Sequence, residues 1–233
     1  MNLFKFLGFC LFFLSSCVSV ETYGGKALEE AEKTFYLAGS LATSVTKKSR
    51  ESAVKIISFN ESGESVTGSG AYIRHKGKHF ILTAAHVVTA RDTALVIASG
   101  EKVIAEVVYC DDSADIAILK LEGLFTRKPL AWRTGKPHVA GEIFYTGNPN
   151  GYDSLSIKGY VAGTYQSYIV SHSYAWGGAS GSAVLDEYGR IIGVLVAVDM
   201  ATGFLGMPSI IEDIVLITPI DNLDIKDVMS ALR

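Results

Sequence analysis

The segment Trp176-Gly-Gly-Ala-Ser-Gly-Ser-Ala-Val184 encloses Ser180 between glycines, with strand-like residues on either side. A serine hydroxyl is a weak nucleophile. It attacks a carbonyl only where a base can take its proton and where backbone N–H groups meet the oxyanion that forms. Gly178 permits a tight turn ahead of the serine, and the N–H groups of Gly178 and Ser180 are the candidate oxyanion donors. A donor of that kind is worth about 2.7 to 4 kcal/mol of barrier. Taken alone, the same string is equally an ordinary hairpin turn, so its partners decide.

Those partners are constrained by chain order. The five histidines stand at 75, 79, 86, 138 and 172, all ahead of Ser180. A nucleophile elbow of the α/β-hydrolase kind needs its histidine after the serine, and that order is excluded. An Asp-His-Ser order needs an aspartate first, yet Asp92 is the first in the chain and only His138 and His172 follow an aspartate. The order His, Asp, Ser remains. His86 lies in Phe80-Ile-Leu-Thr-Ala-Ala-His-Val-Val88, at the end of a strand-like run among small residues, where a general base belongs. His75 and His79 flank the charged turn Lys76-Gly-Lys78 and read as solvated. Asp115 opens the apolar run Asp115-Ile-Ala-Ile-Leu-Lys-Leu121, placed to orient an imidazole, whereas Asp111 and Asp112 belong to the preceding turn.

Other chemistries find little here. No H-E-x-x-H or paired-cysteine motif occurs, so no metal and no cofactor are expected. A formal charge of -3 supplies no basic field for phosphate, which argues against nucleic acid as a partner. Cys110, in Val107-Val-Tyr-Cys110, is expected to be a buried small hydrophobe.

The elements that must hold these residues begin with Lys5 and an apolar run from Leu7 to Leu14. A spanning helix needs about 20 apolar residues, so this shorter run reads as a cleaved leader, residues 1–16. Within a spacer of residues 17–52, the stretch from Ala27 to Lys48 mixes Leu, Ala, Glu and Lys and favours a helix interrupted near Gly39, either a spacer or a docking helix. From residue 53 to 233 the texture is short β-rich runs: AVKIISF, GAYIRH, HFILTAA, ALVIAS, KVIAEVVY, DIAILKL, EIFYTG, SIKGYVAGTY, SAVL and RIIGVLVAV. Turn signals between them, such as Asn148-Pro-Asn-Gly151, give the spacing of an all-β barrel or sandwich. Near the end, Leu223, Ile225, Val228, Met229 and Leu232 fall on one helical face, with Asp221 as the expected cap.

The blocks TAAHVV, SADIAILKL and GGASGSAV resemble the three active-site blocks of the trypsin-like superfamily. Gly68-Ser-Gly-Ala-Tyr-Ile73, Gly147-Asn-Pro-Asn-Gly151, Gly189-Arg-Ile-Ile-Gly193 and Gly206-Met-Pro-Ser209 bring the resemblance closer to the HtrA/Deg proteases, from about Ala53 to Ile220. The resemblance implies two six-stranded β-barrels with His86, Asp115 and Ser180 in the cleft between them, acting on protein or peptide substrates. Leu14-Ser-Ser-Cys17 resembles a bacterial lipobox. It implies lipid attachment at Cys17, and hence an exported periplasmic or cell-surface lipoprotein held at a membrane, or a secreted protein if Cys17 is incidental.

Departures from the family pattern matter too. About two dozen residues follow Met207, too few for the PDZ domain that relatives often carry, so regulation through such a domain is expected to be absent. Ala179 stands where the trypsin branch has the aspartate that receives a new N-terminus. The primary pocket implied by resemblance involves Tyr174, Trp176, Val194, Leu195 and Val196, and neither stretch holds a carboxylate. Cleavage after Lys or Arg is therefore disfavoured, and an apolar or small residue is expected. Two other readings fit the same residues: an inactive protease fold serving as a binding module on a membrane surface, and an esterase with the same triad.

Overall fold

A computed structural model describes residues 43–59, 63–124, 126–202 and 208–233. The chain from Ser44 to Arg233 forms one compact unit. The leader, Cys17 and most of the expected spacer lie outside the described residues. What is described of the spacer, 43–52, is a helix we label α1. It docks through buried Val45, whose side chain lies against Gly189, and through Glu51, whose carboxylate pairs with Lys128 at 3.0 Å.

Alternating or continuous apolar runs then become strands. The first set is β1 (Ala53–Phe59), β2 (Ser65–His75), β3 (Lys78–Thr83), β4 (Thr93–Ala98), β5 (Glu101–Asp111) and β6 (Ile116–Lys120), with a one-turn helix α2 (Ala85–Val88) after β3. They pair in the order β1-β4-β5-β6-β3-β2, and β2 returns to β1 to close a barrel. Closure leaves no free edge among these six strands. Phe80, Ile81, Leu82, Ile116, Ile118 and Leu119 are fully enclosed, each such side chain worth about 1.5 to 3 kcal/mol of burial.

The second closed barrel runs β10-β13-β12-β11-β8-β9. Its strands are β8 (Glu142–Gly147), β9 (Leu155–Tyr165), β10 (Tyr168–His172), β11 (Ala183–Asp186), β12 (Ile191–Thr202) and β13 (Pro208–Pro219). Its core includes Ile143, Tyr145, Val161, Val184, Leu195 and Ile217, together with Ala175 and Ala179 from the segment before the serine. The linker serves both barrels: β7 (Leu130–Ala131) pairs in parallel with β2, and Thr134 bridges Ile191 of β12. The all-β double barrel expected from the sequence is thus the architecture found.

Three details differ from the sequence expectations. Strands β7, β10 and β13 were not foreseen. β10 follows a tight turn whose left-handed residue is Gln166 (φ 53), which carries none of the usual turn signature. The closing helix α3 (Ile225–Ala231) is capped by Asp224, whose carboxylate accepts the Lys226 N–H at 2.8 Å, while Asp221 belongs to a preceding 3-10 turn, Ile220–Asn222. Cys110 is exposed, because it lies on the outward side of β5, and its Sγ is 3.8 Å from an Asp112 carboxylate oxygen.

Candidate active site

His86 sits in α2, one turn past the end of β3 rather than on the strand itself. Asp115 immediately precedes β6 and takes a left-handed conformation (φ 53), which aspartate tolerates better than most residues. Its carboxylate grips His86 twice. Oδ2 lies 2.8 Å from the ring Nδ1, and Oδ1 accepts the His86 backbone N–H at 2.9 Å. Burial pushes the Asp115 carboxyl up, but hydrogen bonds from the His86 ring and from the His86 and Ala85 N–H groups outweigh it and hold the group below its ordinary value. An ionised carboxylate on Nδ1 fixes the tautomer in which Nε2 is free to accept a proton.

The loop that delivers Asp115 is shaped by Asp111, whose Oδ1 accepts Ser113 N–H (2.9 Å), Ser113 Oγ–H (2.6 Å) and Ala114 N–H (3.0 Å). Asp112 accepts the Thr89 hydroxyl at 3.1 Å, tying the loop to the residue that ends α2. Both acids therefore act on the loop, as residues of a turn should.

Ser180 lies in a turn that is pressed against the histidine side of the cleft. A Cβ built on Gly181 would fall 2.0 Å from Ser69 O, 2.3 Å from Thr83 Oγ1 and 3.1 Å from Ala84 N, so nothing larger than hydrogen fits there. Thr83 and Ala84 lead directly into α2. The structure brings His86 and Asp115 into contact and sets Ser180 beside that strand end, but the hydrogen bond of Ser180 Oγ runs to Val196 O at 3.5 Å and not to His86. Bonds of this kind are commonly long or unformed without substrate.

Backbone bookkeeping around the serine is unusually complete. Gly177 O accepts the Asn150 N–H (2.8 Å), Ala179 O accepts the Ser182 N–H (3.1 Å) and hydroxyl (2.8 Å), and Ser180 O accepts the Ser69 N–H (2.7 Å). Gly178 O accepts the Ser69 hydroxyl at 2.7 Å. Among the N–H groups, Ala179 donates to Trp176 O (2.9 Å) and Gly181 to Leu195 O (2.7 Å). The N–H groups of Gly177, Gly178 and Ser180 are left with no acceptor among the described residues, and of these Gly178 and Ser180 are the expected oxyanion donors. In a trans peptide the C=O and N–H point in opposite directions. Tying down Gly177 O and Ala179 O therefore aims these two N–H groups away from the protein's own acceptors. Gly178 reaches this arrangement at φ +98, and a Cβ there would lie 2.6 Å from Asn148 O.

The residues expected to line the specificity pocket separate into two groups. Val194 and Leu195 are completely enclosed, Leu195 within the barrel core, and Leu195 is joined to the serine turn through its backbone. Val196 is the one whose carbonyl meets the Ser180 hydroxyl. Trp176 is half-buried and its carbonyl closes the turn to Ala179. Tyr174 is 42% exposed, and its carbonyl is held by the hydroxyl of buried Tyr145, whose pKa burial pushes well up. The Tyr174 side chain opens on a groove of about 820 Å³ that Tyr160, Glu142, Lys158, His172 and Asp213 also line. Both carboxylates have partners there, Glu142 with Lys158 at 2.5 Å and Asp213 with His172 at 3.3 Å. Ala179, fully buried in the barrel core, offers no charge to a newly cut N-terminus.

Two closed six-stranded barrels, with a histidine-carboxylate pair on one and a glycine-bounded serine on the other, define the chymotrypsin-like class. The chain belongs to the trypsin-like peptidase domain family, whose profile matches residues 68–194. It is 29% identical over 142 residues to "Serine protease Do-like HtrA" of Lactobacillus helveticus, covering 54% of this chain and 34% of that protein. It is 28% identical over 148 residues to "Probable periplasmic serine protease do/HhoA-like" of Haemophilus influenzae, covering 58% and 32%. The chain thus spans about a third of the length of these curated relatives. Among solved structures, "HtrA-type protease AlgW with tripeptide" superposes with a TM-score of 0.66 at 22% identity, covering 83% of this chain and 64% of that one, a likeness of fold.

Sequence reasoning missed Asn150, Ser69 and Asp111 as parts of this site. Asn150 and Ser69 lie within segments that carried the family resemblance, so their positions were visible. Their hydrogen bonds were not.

Proposed function

We propose that this chain is a serine endopeptidase that works through an acyl-enzyme. Ser180 Oγ attacks the scissile carbonyl carbon while His86 Nε2 takes the hydroxyl proton, and Asp115 stabilises the imidazolium. The oxyanion is received by the N–H groups of Gly178 and Ser180. Collapse breaks the C–N bond, and the leaving amine takes the proton from His86. Water then repeats the sequence on the acyl-enzyme, with His86 as base and afterwards as acid, and the new carboxylic acid leaves with Ser180 restored.

The observation that carries this reading is the pair of uncommitted N–H groups, Gly178 and Ser180, in a turn whose carbonyls from Gly177 to Ser180 are all engaged. The turn leaves two N–H groups beside the serine free to receive an oxyanion, which is the arrangement an acyl transfer requires. The position of the Ser180 hydroxyl on Val196 O is the one feature in favour of a catalytically silent binding module. A fluorophosphonate probe decides between them. Wild type is expected to label, while Ser180→Ala and His86→Ala lose labelling and about 10⁶-fold in turnover; a folded wild type that does not label would make the silent module the better reading.

The absence of a carboxylate from Tyr174–Gly177 and from Val194–Val196 supports a preference for an apolar or small residue before the scissile bond, because a basic side chain buried there would have no partner. A peptide library cut mainly after Lys, Arg or Glu would contradict this. Export of the chain through a leader of residues 1–16, with lipid on Cys17, is supported by the lipobox-like segment and by the word periplasmic in the name of the Haemophilus influenzae relative. The intact mass of the mature N-terminus tests it directly.

A further inference from the structure

Ser69 touches the serine turn through two different groups. Its backbone N–H donates to Ser180 O at 2.7 Å, and its hydroxyl donates to Gly178 O at 2.7 Å. The same hydroxyl oxygen accepts the Asn148 backbone N–H at 2.9 Å and the Asn148 side-chain Nδ2–H at 3.2 Å. A serine hydroxyl has one donor and two lone pairs, and here all three are used. Ser69 is fully buried, and its own carbonyl receives the Thr83 hydroxyl at 2.7 Å. Asn148 is fixed in turn, giving its Nδ2–H to Val54 O (3.1 Å) and accepting the Ser154 N–H (3.0 Å).

We propose that the Ser69 hydroxyl is a positioning group for the oxyanion site. This role rests on the endopeptidase reading above and consists in keeping its two donors aligned. Gly178 has the conformational freedom of a residue without Cβ, so the peptide planes on either side of it can rotate unless something holds them. The plane before it is held by the Asn150 N–H on Gly177 O. The plane after it is held by Ser69 Oγ on Gly178 O, and the next but one by Ser69 N on Ser180 O. Ser69 reaches across from β2 of the first barrel and fixes the planes on either side of the one that carries the Ser180 N–H, so the barrel that carries His86 limits how that donor can turn, while the donors' own planes are held by Asn150 on Gly177 O and by Ser182 on Ala179 O. The Gly178 and Ser180 N–H groups then converge without reorganisation during the reaction, the condition under which such donors are most effective. Ser69 touches neither substrate nor proton in this scheme. It acts through Gly178 and Ser180.

The test uses the full mature protein with Ser69→Ala, which removes the hydroxyl and keeps the N–H on Ser180 O. Loss of one whole oxyanion donor costs about 10² to 10³ in kcat, so a loosened pair is expected to cost about 10- to 100-fold in kcat, with KM within about twofold. Affinity for a peptidyl aldehyde, whose adduct is tetrahedral, should fall by the same factor as kcat/KM. Ser69→Cys, which keeps a weak donor, should recover part of the loss. A purely structural role would lower the melting temperature of Ser69→Ala and leave kcat and aldehyde affinity of the folded protein unchanged, and that result would overturn the proposal. Should Ser69→Ala not fold, Ser69→Cys carries the comparison by the same two readouts. Ser180-dependent probe labelling of wild type separates the two claims. A labelled wild type with an indifferent Ser69→Ala sinks only the positioning role, and an unlabelled wild type removes the parent reading and this one with it.

Discussion

The two halves of the cleft are built from different material. The half on the first barrel is a contact between side chains, with the Asp115 carboxylate on the His86 ring and on the His86 N–H. The half on the second barrel is almost entirely backbone, a turn in which every carbonyl from Gly177 to Ser180 is engaged and the Gly178 and Ser180 N–H groups are not. Side-chain machinery depends on residue identity, so a substitution in it removes a functional group outright. Backbone machinery depends on conformation, so it is damaged by changing a dihedral angle or a neighbour while every functional atom stays in place.

The largest effect expected from that contrast is at Asp115. Asp115→Asn preserves shape but favours the wrong imidazole tautomer, and kcat is expected to fall about 10⁴-fold with probe labelling slowed in step. A loss of less than tenfold would show that the side-chain half matters less than its geometry suggests. Next comes Gly178→Ala, which adds a Cβ where φ is +98 and where Asn148 O stands 2.6 Å away. Here every catalytic side chain remains, and a fall of about 10² in kcat with unchanged KM would show that conformation alone runs the second half. If Gly178→Ala instead raised KM with kcat intact, the turn would be a substrate-binding feature.

The smallest effect is on stability against pH. The folded Asp115 carboxyl lies below its ordinary value, so the folded state binds fewer protons than the unfolded chain. Its stabilising contribution is complete above the usual aspartate pKa of about 3.9 and is lost as pH falls through the lower folded value. The difference in melting temperature between wild type and Asp115→Asn should therefore be steady from neutral pH to about 4 and shrink below it. A gap that widened in acid would mean that the carboxyl is not held down in the folded state.

The same contrast explains what could be read from the sequence. Chain order singled out His86, Asp115 and Ser180, of which the structure puts His86 and Asp115 in contact, and the ten β-rich runs fell on strands because their residues are apolar and β-branched. Asn150 and Ser69 were not legible as working parts, because any residue but proline donates an N–H and a hydroxyl's target lies far off in sequence. Gly178 O is 109 residues from Ser69. β13 went unseen since Glu212 and Asp213 interrupt its apolar pattern and prolines bound it at Pro208 and Pro219. Two nearby aspartates competed for the helix cap, and Asp224 won because an N-cap must sit directly ahead of the first helical turn.

The docked helix α1 has a mechanical meaning. A pull applied to the chain ahead of residue 43 loads α1 before it loads any strand, and α1 is held by scattered contacts: Val45 at Gly189, Glu51 at Lys128 through side chain and backbone, and Arg50 on Ser154 O (2.6 Å) and Ser156 Oγ (3.0 Å). Those contacts would be peeled one at a time. β1, next in line, is clamped along seven residue pairs to β2 and along three more to β4, so the same force meets it in shear, with many bonds bearing together. Tension on the chain would thus meet the scattered contacts of the helix first, and the closed barrel that carries His86 only after them.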